Sequence, residues 1–142
     1  ISITSLFIVK NKEKLSIYDY TKIKIMIFNM KKEITYEDYS KIQIIVGTVL
    51  KVTKNEKARK PSLVVEVDFG SEIGVRQSSA QITHYYNSDN LVGKQVIGVC
   101  NFPKKNIAGI ESEVLILGAI EKDGKVVLVH PSQKTENGLE IA

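Results

Sequence analysis

The chain has 142 residues, 43% of them hydrophobic and 25% charged, which describes a soluble globular chain long enough for one ordinary domain and too short for two. Tryptophan is absent and aromatics make up 7%, which argues against a large aromatic cage or a base-stacking platform. The formal charge of +4 is confined to one end: residues 1–33 carry seven lysines against three carboxylates, while residues 34–142 balance 13 basic against 13 acidic side chains. The main body therefore lacks the bulk positive field that drives nonspecific nucleic-acid binding.

One cysteine, Cys100, excludes an internal disulfide framework, and with only His84 and His130 beside it no zinc site of ordinary spacing can be assembled. No apolar run approaches the ~20 residues needed to span a bilayer. Lys10, Lys12 and Lys14 interrupt the run after Leu6–Val9 where a secretory leader would stay apolar. The expected compartment is the cytoplasm, with no membrane partner.

Residues 1–33 differ in kind from the rest, being rich in Ile, Lys and Asn with no Gly or Pro. Two readings stand. Met30 begins the natural domain and residues 1–29 are a non-native extension, or Thr21–Phe28, which partly alternates, adds a strand to a sheet edge. The domain proper is expected over 34–142.

Thr35 and Asp38 form a helix-start pattern, giving a short helix over Tyr36–Lys41. The period then becomes two. Ile42, Ile44, Val46, Thr48, Leu50 and Val52 are expected on one face, with Gln43, Gly47 and Lys51 on the other. Leu63, Val65, Val67 and Phe69 repeat the pattern up to Gly70. Ile73–Gln77 reads as a third strand, and Ser78 or Ser79 as the cap of a brief helix. Val96–Phe102 is a fourth strand, stopped by Pro103. Glu113–Ile120, apolar on both faces, reads as a central fifth strand. Lys122-Asp123-Gly124 is a hairpin turn into Lys125–Val129, and Asn137-Gly138 marks a last turn. Three strands, a helix and two more strands are the plan of an all-β, five-stranded OB-fold barrel, with an N-terminal helix and a C-terminal hairpin extension.

No catalytic constellation emerges. Cys100 lies in an apolar strand and reads as a core residue. His84 and His130 read as surface or hydrogen-bonded residues rather than bases. The pairs Glu111/Glu113 and Glu66/Asp68 each fall on one face of a strand. No phosphate-binding or dinucleotide-binding glycine loop occurs. The expectation is a non-enzymatic protein with no cofactor, no metal and no small-molecule substrate. Binding is favoured by two segments, EIGVRQSSAQIT (72–83) and NFPKKNIAGIESEVLIL (101–117). The first offers Arg76, Ser78, Ser79 and Gln81, and the second offers Lys104 and Lys105 in a loop between barrel strands, where OB-folds place ligand contacts. Lys54, Lys57, Arg59 and Lys60 form a further basic cluster, tempered by Glu56.

Both segments, with YEDYSKIQIIVGTVLKV, EKARKPSLVVEVDFG and the terminal ENGLEIA, closely resemble the CsaA-type export-related chaperones over Thr35–Ala142. That group falls within a wider tRNA-binding-domain superfamily, which includes C-terminal domains of some methionyl-tRNA synthetases and the EMAP II-like cytokines. The resemblance implies an OB-fold homodimer paired through Tyr36–Lys41 and about Val126–Ala142. It implies ligand contact at Arg76, Ser78, Ser79, Gln81, Lys104, Lys105 and Ser112. It further implies ATP-independent binding of unfolded or exported polypeptides, with structure-specific tRNA binding as the alternative. The tRNA-binding branch tends to carry Ser-x-Gly-Met after the basic loop. Here Ser112 is followed by Glu113-Val114-Leu115, a departure that disfavours RNA at that point.

Overall fold

The computed structural model describes residues 30–142. The proposed strand over Thr21–Phe28 lies outside the described residues. The chain divides into two units, residues 1–39 and 40–142. At the end of the first, helix α1 (Tyr36–Ser40) starts as expected. Thr35 Oγ1 accepts from the Asp38 N–H at 3.1 Å, and Asp38 Oδ2 accepts from the Thr35 N–H at 3.3 Å, so two otherwise orphaned donors satisfy each other's residues.

The second unit is a nearly closed five-stranded barrel of the OB-fold plan. Its strands are β1 (Ile44–Lys54), β2 (Leu63–Asp68), β3 (Val75–Ala80), β4 (Gln95–Val99) and, after an inserted hairpin of β5 (Lys105–Ile107) and β6 (Ile110–Ser112), β7 (Leu115–Ile116). They lie in the order β3-β2-β1-β4-β7, all antiparallel. Helix α2 (Ser88–Leu91) separates β3 from β4, and β8 (Gly118–Ile120) pairs with β9 (Val126–Leu128) as the expected C-terminal hairpin. Among the described residues no helix is long and apolar enough to cross a membrane.

Strand β1 carries the bend that closes the barrel. Its ladder with β2 slips between Val49 and Lys51, leaving Leu50 as the extra residue of a bulge. This corrects the expected face. Alternation alone put Ile44, Val46 and Leu50 together, but the interior holds Ile45 and Val49, then Val52 once the bulge has reset the parity, while Leu50 is exposed. Val46 is buried all the same, because 138–141 pairs along the β1 edge that β2 leaves open. The Val46 N–H donates to Leu139 O and the Gly138 N–H donates to Val46 O, both at 2.9 Å.

Three further expectations are corrected. Ser78 and Ser79 lie within β3 and cap no helix, because Leu63–Val65 of β2 offers them a ladder. The helix comes later and is capped by Asn87. Strand β4 ends at Val99 rather than Phe102. Glu113–Ile120 is not one central strand: it divides into β7 at the sheet edge and β8 in a separate hairpin, and Ile120 is 77% exposed.

Phe69 occupies the middle of the barrel, fully buried. It fits because β1 and β4 each present a glycine to it. A Cβ on Gly47 would lie 2.6 Å from Val67 Cγ1 and 2.7 Å from Phe69 Cδ1, and one on Gly98 would lie 2.7 Å from Val114 Cγ2 and 3.0 Å from Phe69 Cζ. Gly47 therefore faces the core, on the side opposite to that suggested by an unbroken alternation. Gly47→Ala should lower the unfolding free energy by about 1–3 kcal/mol, read from urea denaturation. Combined with Phe69→Leu it should cost less than the sum of the two single changes, and strict additivity would contradict this packing.

Candidate ligand-binding groove

A groove of about 570 Å³ opens where the end of β3 meets the segment after β4 and the residues after β6. Ser78, Ser79, Lys104, Lys105 and Ser112 line it together with Phe102, Ile107, Glu113 and Leu115. Five of the seven residues expected at a site are thus brought together. Arg76 stands behind the wall and reaches it through Glu113. Gln81 does not line the groove; it is exposed beyond the end of β3.

The wall is stitched from both sides. The Glu113 N–H donates to Gln77 O at 2.9 Å, the Gln77 N–H donates to Glu113 Oε2 at 3.1 Å, and the Ser79 N–H donates to Ser112 Oγ at 3.2 Å. Register places Arg76 and Ser78 opposite Val67 and Val65, on the interior side of β3. Lys105 opens a hairpin strand rather than a loop, and the two-residue turn after β5 uses positive φ at both Ala108 (48°) and Gly109 (81°). That combination is the primed turn whose twist suits a tight hairpin.

The charges at the groove are largely spent on one another. Lys104 Nζ lies 2.9 Å from Glu111 Oε1 and 3.2 Å from Glu113 Oε1, and Arg76 Nη1 lies 3.5 Å from Glu113 Oε1. Glu113 is the hub, with a side chain 18% exposed. Partial burial pushes its carboxyl up, but the Gln77 N–H, Lys104 and Arg76 together outweigh that and hold it below its ordinary value. The same pairs raise Lys104. Of the expected cations, Lys105 alone lines the groove without an ion pair among the described residues. The apolar share comes from Phe102, 53% exposed, and Leu115, 51% exposed.

Composition and spacing had missed Glu113, Phe102 and Leu115 as site residues. Leu115 was hidden in an apolar run taken for a central strand. Phe102 stands where alternation runs β4 on, three residues past its actual end at Val99. Only the Ser112-Glu113 step carried a signal, as a departure from the RNA-binding pattern.

Burial pushes the Cys100 thiol up to about 11, with Arg76 pulling weakly the other way, so the thiolate is scarce at neutral pH. His84 and His130 are exposed. Among the described residues no group of three or more His, Cys, Asp or Glu could hold a metal ion.

Residues 44–140 match the family model for a putative tRNA binding domain. The chain belongs to that family. Among solved structures, it is similar to the chaperone CsaA of Bacillus anthracis, with a TM-score of 0.74 and 42% identity over 78% of this chain and 100% of that one. It is similar also to a CsaA chaperone protein of Picrophilus torridus, with a TM-score of 0.73 and 48% identity over 78% of this chain and 100% of that one. It matches a methionine–tRNA ligase of Archaeoglobus fulgidus at 38% identity over 132 residues, 93% of this chain but 17% of the ligase. The resemblance to the CsaA type is thereby borne out, as a member of the tRNA-binding-domain family.

Glu113→Gln tests the hub. A carboxyl held below its ordinary 4.5 contributes stability that is present above that value and lost as pH falls through the lowered one. The stability gap between wild type and variant, from denaturant titrations across pH 2–7, should be widest at neutral pH and narrow on acidification. A constant gap would show that the carboxylate is not held by its neighbours.

Proposed function

We propose that the chain is a non-catalytic binding protein of the CsaA type that takes extended segments of unfolded or exported polypeptide into this groove without ATP. The observation that carries the reading is charge cancellation. Glu111 and Glu113 neutralise Lys104 and Arg76, leaving hydroxyls, exposed Phe102 and Leu115, and one lysine. Such a surface suits a backbone with alternating apolar side chains better than a chain of phosphates. Reduced, unfolded polypeptide should bind with micromolar affinity, and Leu115→Asp should weaken it about tenfold or more by placing a charge in the apolar wall. Unchanged affinity in that variant would remove the groove from the reading.

A second reading, tRNA binding, is favoured by the family match and by Lys54, Lys57, Arg59 and Lys60, which take part in none of the ion pairs among the described residues. The two readings differ in salt dependence. Each phosphate contact adds about −0.7 to −0.9 to the slope of log affinity against log salt. If the carboxylates suppress RNA contact at the groove, Glu111→Gln with Glu113→Gln should steepen the slope for bulk tRNA by about 1.4–1.8, since two cations are released. A wild-type slope already steep, and unmoved by those changes, would favour tRNA at another surface.

We also propose that two copies pair through the β8–β9 hairpin, where Ile120, Val127 and Val129 lie exposed. Ile120→Lys should convert a dimer to a monomer by light scattering. A wild-type chain that is already monomeric at tens of micromolar would end this proposal.

A further inference from the structure

The groove between β3 and β7 has polar groups that the frame leaves unused. Ser78 is only 3% exposed, yet it lines the groove, and its hydroxyl makes no hydrogen bond among the described residues. Unlike Asn55 Nδ2 and Ser62 Oγ, which are sealed away from solvent, Ser78 Oγ opens on the groove. A buried hydroxyl rarely stays without a partner. Ser112 extends the same floor. Its Oγ accepts from the Ser79 N–H at 3.2 Å, which leaves its own proton free to donate. Lys105 stands opposite Ser112 in the β5–β6 ladder, so the two side chains share a face. It is exposed and takes part in none of the ion pairs among the described residues.

Two hydroxyl donors and an ammonium fit an oxyanion. Because Glu111 and Glu113 balance Arg76 and Lys104, Lys105 leaves the site with a single positive charge over. That suits one negative charge and not a series of them. Phe102, Ile107 and Leu115 line the same groove, so the anion arrives beside an apolar group. A carboxylate of a polypeptide has that character. Its position in the chain follows from geometry. Along an extended chain neighbouring side chains point to opposite faces, so an aspartate would turn away from the groove as its apolar neighbour entered. A terminal carboxylate and the side chain of the last residue branch from one Cα, and both can enter together.

We infer that the groove takes the carboxyl end of a polypeptide whose last residue is apolar, with the carboxylate on Ser78, Ser112 and Lys105 and the last side chain against Phe102 and Leu115. The inference rests on the polypeptide reading of the groove and names the segment that enters. The test is fluorescence anisotropy on the full chain with one N-terminally labelled apolar peptide ending in leucine, made as the free acid and as the amide. A third peptide, amidated, carries aspartate before the leucine. The acid should bind about tenfold more tightly than the amide, the scale of a charge-assisted hydrogen bond. The aspartate peptide should bind like the amide. Lys105→Gln and Ser78→Ala should each cut the preference for the acid to less than about threefold. Ser78→Ala should do so without lowering the urea midpoint, because the hydroxyl it removes is bonded to nothing in the fold. A lowered midpoint, or a preference kept in both variants, would overturn the placement of the carboxylate. An aspartate peptide as tight as the acid would overturn the assignment to a chain end. Equal affinity for acid and amide, both weakened by Leu115→Asp, would overturn this inference and leave the polypeptide reading standing. No binding of any of the three would overturn both.

Discussion

One ring decides where the candidate groove of this protein lies. Phe69 fills the barrel only because Gly47 and Gly98 withdraw on two strands, and Val114 closes over the same space from a third direction, against Gly98. Val114 is thereby fixed in the core. Its neighbours in sequence inherit their positions from it. Glu113 is held at the rim against Gln77, and Leu115 turns outward into the groove. The packing of an apolar core and the placement of a carboxylate and a leucine at the groove are one constraint, seen from two sides of the barrel wall.

That placement has an electrostatic consequence. A carboxylate set between Arg76 and Lys104 converts what would be a two-cation surface into a compensated one. The Glu113 N–H keeps its bond to Gln77 O whatever side chain stands there, while the Gln77 N–H depends on the carboxylate as its acceptor. A substitution beside a core anchor can therefore change the charge of the groove while the barrel stays as it is. The near-balance of charge over residues 34–142 agrees with that local picture.

Legibility in the sequence followed the range of the interaction that decides each element. The alternation of Leu63, Val65, Val67 and Phe69 survives unchanged because β2 is a regular strand with one buried face. The Thr35–Asp38 cap and the Lys122–Gly124 turn are settled within four residues, and both appear as read. The face of β1 was misassigned because a bulge at Leu50 is set by its partners, and period-two reasoning assumes no insertion. Ser78 and Ser79 carry a local preference for capping that loses to the ladder offered by β2. The groove was half legible. Its serines and lysines announce themselves by type, while Glu113, Phe102 and Leu115 become site residues only when strands distant in sequence meet.

The edges of the sheet complete the physical account. β1 turns from β2 to β4 as it bends, so its first half would present an open edge. Residues 138–141 cover it with a ladder of their own, and Asn137 anchors that strap by accepting from Thr48 Oγ1 at 2.7 Å. An open edge invites pairing with foreign strands. With the first half of β1 covered by residues 138–141, β3 and β7 remain as the edge strands of the sheet, and the groove lies between them. The strap over residues 138–141 is therefore part of the barrel wall, standing where a further strand would otherwise pair.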